Sequence, residues 1–261
     1  MRGAYNARMF SKAIVRTPCR AIVNGLTSAT LGVPDHAAAL HQHGEYVRAL
    51  QDYGLQVTVL PADEAFPDST FVEDAALLTP RCAVITRPGA ASRRLETVSM
   101  RKAVNGFYDE LECITAPGTL DGGDIMMVGE HFYIGLSGRT NIEGARQLIT
   151  ILEKYRMTGS VIELEEVLHL KTGVSYLENS HLLACGEFPG NPEFQHFQIL
   201  QVAAEEAYAA NSLWLNGTVL VPAGFPRTRT MIAAAGYDVL EVDVSEFQKL
   251  DGGLSCLSLR F

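Results

Sequence analysis

A chain of 261 residues with 47% apolar and 20% charged side chains carries enough apolar material for a sizeable core, and no run of about 18 apolar residues marks a membrane span. The formal net charge is −9 and the basic residues are dispersed, which excludes an electrostatic footprint for nucleic acid. Five widely spaced cysteines, an odd number, fit neither a disulfide framework nor a CxxC metal site and read as reduced thiols.

The first sixteen residues contain Arg2, Arg8, Lys12 and Arg16 without an acid, and they lack the apolar h-region of a secretory signal. The expectation is a cytoplasmic protein in which residues 1–9 form a flexible extension, with Met9 as an alternative start, ahead of one domain over 10–261. Ala13 to Thr17 reads as a strand. Asp35 to Tyr53 reads as a helix; its His41 and His43 are two apart, so their rings diverge and do not form a metal pair. The stretch Pro67-Asp68-Ser69-Thr70-Phe71-Val72-Glu73-Asp74 sets three carboxylates and an aromatic at the start of a hairpin over Phe71–Thr86, turning at Pro80-Arg81. Strand alternation would put Glu73 and Asp74 on opposite faces unless a bulge intervenes.

Ser92 to Phe107 is a second helical pattern. Gly118 to Asp124 reads either as a tight strand approach or as a phosphate cradle, and the absence of a following GK[ST] weakens the cradle. A second hairpin spans Ile125–Leu136 around Gly129-Glu130, followed by a helix over Asn141–Tyr155. His169 interrupts the apolar run Val167–Leu170, where a core histidine and a catalytic one look alike. A third hairpin covers Val174–Ala184 around Asn179-Ser180, and a fourth covers Ser212–Pro222 around Asn216-Gly217. The Asn216-Gly217-Thr218 glycosylation pattern there is read as accidental. A helix over Arg227–Ala235 follows. Gly54, Gly106 and Gly236 stand where helices would end in a left-handed cap.

The last segment, Ser255 to Phe261, reads as a strand that Cys256 opens, just beyond the pair Gly252-Gly253 that allows close backbone approach to a ligand. Cys19, Cys82, Cys113 and Cys185 lack such a setting and read as small core residues. The hairpins recur every forty to fifty residues, so the chain reads as a repeated supersecondary unit. Pairing of the first and last strands would supply the fifth unit and close a ring without exposed edges. The expected fold is therefore a five-bladed α/β propeller of ββαβ-type units. An open doubly wound sheet is the alternative, but it would not explain so many tight antiparallel turns.

Taken in order, FPDSTFVEDAALL, ITRPGAASRR, LDGGDIMMVG, FYIGLSGRTN, LHLKT, YAAN and the terminal DGGLSCLSLRF resemble the dimethylarginine dimethylaminohydrolases, guanidino-group-modifying enzymes of the pentein fold. The resemblance runs over the chain from about Phe10. It implies Cys256 as nucleophile, His169 as general acid and then base, and Asp121 as the carboxylate that orients the imidazole, where some relatives carry Glu. It further implies Glu73 and Asp74 on the guanidinium, Arg93 and Arg139 on the α-carboxylate, and Asp68 with the Leu26 loop on the α-amino group. Phe71 would lie along the aliphatic stem, with Leu250 also in the substrate pocket. The implied reaction turns methylated L-arginine, a small-molecule substrate, into L-citrulline and a methylamine, using no metal or organic cofactor. Relatives of this kind are often homodimers. Arginine deimination and a non-catalytic pentein binding factor are the competing readings.

Overall fold

The computed structural model describes residues 10–261; the extension expected over 1–9 lies outside the described residues. In chain order the strands are β1 (Lys12–Arg16), β2 (Gln56–Leu60), β3 (Ala76–Leu78), β4 (Ala83–Ile85), β5 (Leu111–Cys113), β6 (Ile125–Val128), β7 (His131–Leu136), β8 (Thr158–Glu163), β9 (Val174–Tyr176), β10 (His181–Ala184), β11 (Gln198–Gln201), β12 (Leu213–Leu215), β13 (Thr218–Pro222), β14 (Asp238–Val242) and β15 (Leu259–Arg260). They form five three-stranded sheets, each an antiparallel pair extended by a parallel third strand.

A parallel third strand needs a crossover. Helices α1 (His36–Asp52), α2 (Glu96–Val104), α3 (Ile142–Lys154) and α5 (Pro226–Ala234) supply it in four units, with the single turn α4 (Leu170–Gly173) lying between the third and fourth and α6 (Ser245–Gln248) near the end. The remaining unit crosses from β10 to β11 with only a 3₁₀ turn, Pro192–Phe194. The unit that contains β1 and β2 joins both ends of the chain: β1 pairs antiparallel with β15 through Ala13 with Arg260 and Ile14 with Leu259. The fold is the five-unit α/β ring of the pentein type, closed as the hairpin spacing predicts.

Local chemistry fixes the helices where the pattern places them. Asp35 accepts from the Ala38 amide at 2.7 Å and Asn141 from the Gly144 amide at 2.8 Å, each satisfying an orphan N–H of a first turn. Gly54 and Gly236 end their helices at positive φ. The third hairpin is wider than a two-residue turn, since Glu178, Asn179 and Ser180 all adopt left-handed backbone. The helix expected from Ser92 starts later, because Ala91–Arg93 is a 3₁₀ turn that buries Arg93. Apolar cores fill the space between sheets and outer helices: Tyr46 and Leu50 of α1 pack with Val15 and Phe247, and Leu148 and Leu152 of α3 with Phe132 and Ile134. Among the described residues no helix is long and apolar enough to cross a membrane.

The repeat has a second part that hydropathy does not reveal. The first strand of every unit is preceded by one or two helical turns: Val72–Ala75 before β3, Gly122–Asp124 before β6, α4 before β9, Ala204–Ala210 before β12 and Ser255–Leu257 before β15. These turns touch one another at the centre of the ring.

Candidate active site

The central turns carry most of the candidate residues. Cys256 stands in the turn Ser255–Leu257, not at the start of a strand as expected, because Gly253 O accepts from the Cys256 amide and curls the backbone. The Gly253 amide in return points at Cys256 Sγ from 3.4 Å. Both preceding glycines are obligatory. A Cβ on Gly252 would stand 2.2 Å from the Phe71 ring, and one on Gly253 would stand 2.5 Å from the Asn211 amide.

His169 is an extended residue capping α4, 9% exposed, and its Nε2 lies 3.1 Å from Asp121 Oδ2. Asp121 is fully buried; its Oδ1 accepts from the Gly89 amide at 2.8 Å, and Arg139 Nη1 stands 3.6 Å from Oδ2. The shorter carboxylate therefore reaches the imidazole. Burial alone would push the imidazole down, but Asp74, the Asp121 bond and Asp124 overcome it and raise His169 to about 9. At neutral pH the residue is an imidazolium. The Asp121 contact uses Nε2, so the other ring nitrogen, Nδ1, is the one beside Gly123.

Glu73 and Asp74 lie on a 3₁₀ turn, which resolves the question of strand faces: consecutive side chains fan apart by about 120°. Asp74 turns to the substrate-sized cavity, where Arg93 Nη1 meets it at 2.5 Å and the Gly123 amide at 2.9 Å. Burial raises its carboxyl, but Arg93 and the His169 imidazolium prevail and hold it at about 2. Glu73 turns the other way, accepting from Lys171 Nζ at 2.5 Å and Ser255 Oγ at 2.8 Å, and lines a water-sized space of about 30 Å³ behind Cys256. The two acids expected to act together on a guanidinium thus divide between the front and the back of the sulfur.

The front cavity, about 240 Å³, is lined by Leu26, Asp68, Phe71, Leu250, Arg139, His169 and Cys256 among others. Arg93 borders it but is 4% exposed, and each of its three guanidinium nitrogens already donates to Asp74, Glu96 or the carbonyls of Asp68 and Phe71. Arg93 therefore braces Asp74 and Glu96 at the edge of the cavity. Arg139, with 21% of its side chain exposed, is the more exposed of the two cations. Asp68 Oδ1 accepts from the Leu26 amide at 2.9 Å, and Asp251 Oδ2 accepts from the Ser28 amide and hydroxyl at 2.6 and 3.0 Å, so the exposed Leu26 loop is tied across the mouth at two points.

Burial, then the negative charges of Glu73 and Asp74, push the Cys256 thiol up to about 12. The free site therefore holds a thiol beside an imidazolium. Its negative wall suits a cation, whose arrival would favour the thiolate. Asp74, Asp121 and His169 place one donor atom each within 4.8 Å of one another. Arg93 and the Gly123 amide hold Asp74, and Asp121 and His169 hold each other, so each of these donors already has a hydrogen-bonding partner in this structure.

Residues 34–186 match the family model described as "N,N dimethylarginine dimethylhydrolase, eukaryotic". The chain is 60% identical over 97% of its length to all of the N(G),N(G)-dimethylarginine dimethylaminohydrolase of Pseudomonas aeruginosa. The chain belongs to the dimethylarginine dimethylaminohydrolase family. A second relative of that name, from Streptomyces coelicolor, is 38% identical over 95% of the chain and 96% of its own length. The Pseudomonas enzyme in complex with citrulline superposes with a TM-score of 0.96 at 60% identity, covering 97% of this chain and the whole of that one. An ArgZ N-terminal domain, at 17% identity and a TM-score of 0.86 over 95% of this chain and 97% of its own, shares the fold alone.

Several polar residues of this family member's site carry no sequence signal of their own. Lys171 lies two residues past His169, and Asn211, whose amide meets Lys171 O at 2.9 Å and Ser255 Oγ at 3.0 Å, ends the YAAN motif. Asp124 is the second acid of the DGGD run.

Proposed function

We propose that the chain hydrolyses Nω,Nω-dimethyl-L-arginine, and Nω-methyl-L-arginine, to L-citrulline and dimethylamine or methylamine, with Cys256 as nucleophile, His169 as proton carrier and Asp121 as its orienting carboxylate. The observation that carries this reading is a thiol and an imidazolium at the end of one cavity whose wall presents a buried, ionised carboxylate, Asp74, to a cation. Asp74 on the guanidinium edge fixes its plane so that sulfur meets the central carbon. Arg139 takes the α-carboxylate, Asp68 and the Leu26 loop take the α-amino group, and Phe71 and Leu250 flank the stem.

With the guanidinium cation bound, the Cys256 thiol loses its proton to solvent; the thiolate attacks the guanidinium carbon, and His169, already protonated, gives its own proton to the dimethylamine nitrogen as the carbon–nitrogen bond breaks. A thiouronium remains on Cys256. Neutral His169 then takes a proton from water, whose oxygen adds to the same carbon. The carbon–sulfur bond breaks, releasing citrulline and regenerating the thiol–imidazolium pair. The test compares citrulline formation from dimethylarginine and from arginine at equal enzyme. Preferential turnover of dimethylarginine is expected, with loss of turnover in folded Cys256→Ser; faster turnover of arginine would move the chain to deimination on the same scaffold.

A further inference from the structure

Asp124 is a buried carboxylate of the site that the reaction above does not use. Asp124 is fully buried and lines neither cavity beside Cys256. Its Oδ1 accepts from the Leu170 amide at 3.0 Å, the peptide that follows His169, and its Oδ2 accepts from Ser137 Oγ at 2.7 Å. Ser137 Oγ in turn receives the amides of Arg139 at 3.0 Å and Thr140 at 3.1 Å, and Thr140 Oγ1 receives the Asp121 amide at 3.0 Å. One carboxylate thus fastens the backbone next to the proton carrier and, through one hydroxyl, the turn that presents the substrate-carboxylate cation and the orienting acid.

We infer that Asp124 is a positioning residue for the hydrolysis, setting His169 against Arg139 and supplying the imidazolium with a negative charge that never touches substrate; this rests on the function proposed above. An apolar side chain would leave the Leu170 amide and the Ser137 hydroxyl without acceptors inside the core. An amide of the same shape also fails. Asparagine could satisfy Leu170 with its oxygen, but its NH₂ would then face a Ser137 oxygen that already receives two N–H groups. Only the ionised carboxylate serves both neighbours. Ionisation has a cost: burial raises the carboxyl to about 6 against the opposing pull of His169, so the cation and the second acid hold each other charged. The other charged groups around His169 are Asp74 and Asp121, with their partners Arg93 and Arg139, and Lys171 and Glu73 across the space behind Cys256.

The test uses Asp124→Asn and Ser137→Ala, with the His169 imidazole titration followed by NMR in enzyme carrying labelled histidine, beside kcat and KM for dimethylarginine across pH. In Asp124→Asn the His169 midpoint is expected to fall by about one pH unit or more, the effect of losing one nearby opposite charge. The alkaline limb of kcat should move down with it. Ser137→Ala leaves that midpoint in place and raises KM roughly tenfold, the weight of about one hydrogen bond lost at the Arg139 turn. A folded Asp124→Asn enzyme with an unmoved midpoint and pH profile would reduce Asp124 to a core-filling group. Should that variant fail to fold, unchanged KM in Ser137→Ala would overturn the link to Arg139. The NMR midpoint is read without substrate, so failure of the dimethylarginine assay and failure of this inference are separate outcomes.

Discussion

Removing the charge of Glu73 should make the Cys256 thiol more acidic, and removing that of Lys171 should make it less so. Glu73 stands behind the sulfur and is, after burial, the largest contributor to its raised pKa, whereas Lys171 opposes it. A like charge in close range shifts a pKa by roughly one to three units, so Glu73→Gln should lower the thiol from about 12 toward 10. At any pH well below both values the thiolate fraction then rises about a hundredfold for a shift of about two units. The thiolate so formed is less basic and, with a Brønsted slope near 0.4–0.5, roughly tenfold less nucleophilic, leaving a net gain near tenfold. The assay is the pH dependence of alkylation by iodoacetamide, with the adduct mapped to the C-terminal peptide and Lys171→Gln expected to react more slowly than wild type. Glutamine keeps the volume and can still accept from Ser255 Oγ, now at 2.8 Å from the carboxylate, so the comparison isolates charge. Equal alkylation profiles in all three proteins would refute the claim that the back wall sets the thiol's ionisation.

Two further outcomes follow from the same geometry. Gly123→Ala should lower kcat on the order of a hundredfold with little loss of fold, because its Cβ would stand 2.9 Å from His169 Nδ1 and 3.0 Å from Asp74 Oδ1; circular dichroism and steady-state kinetics check it. Stability should fall as pH rises: the folded pKa of His169, about 9, lies above the unfolded value near 6.5, so its contribution is full below 6.5 and lost by about 9. The loss is on the order of 3 kcal/mol and is read by urea unfolding at pH 6 and pH 9.5, where equal midpoints would contradict the raised imidazole.

Hydropathy made the ring legible because each unit repeats an apolar hairpin, and end-to-end pairing was the one arrangement that left no unit short. The fourth unit's missing helix was not legible as such, since the segment between β10 and β11 merely lacks a pattern. Cys256 was misplaced on a strand because Leu254-Ser255-Cys256-Leu257 has apolar residues that suit a strand or a turn equally, and only Gly253 O decides for the turn. The hold of Arg93 on Asp74 was not legible, because charge in a motif says nothing of its partners. Glu96, three residues on, is the partner that a helical i,i+3 reading could have proposed.

The central turns explain why chemistry spread over the whole chain converges. In a ring built from one unit, a residue at a given place in the repeat points at the axis five times. Asp74, Asp121, His169, Asn211 and Cys256 follow one another at 42 to 48 residues, the period of the fold itself. Each sits on or beside the helical turn that precedes the first strand of its unit. No single turn could hold a thiol, an imidazole and two acids without clashing, whereas five turns set edge to edge can do so from rigid backbone. The glycines police that approach: a Cβ on Gly122 would strike Glu73 O at 2.0 Å, one on Gly123 the imidazole, and one on Gly253 the Asn211 amide, each a contact between neighbouring units. Glycine at the turns is therefore what lets the ring close tightly enough to bring sulfur, imidazole and carboxylate to one cavity. A methyl group at any of these positions should separate two units before it unfolds either.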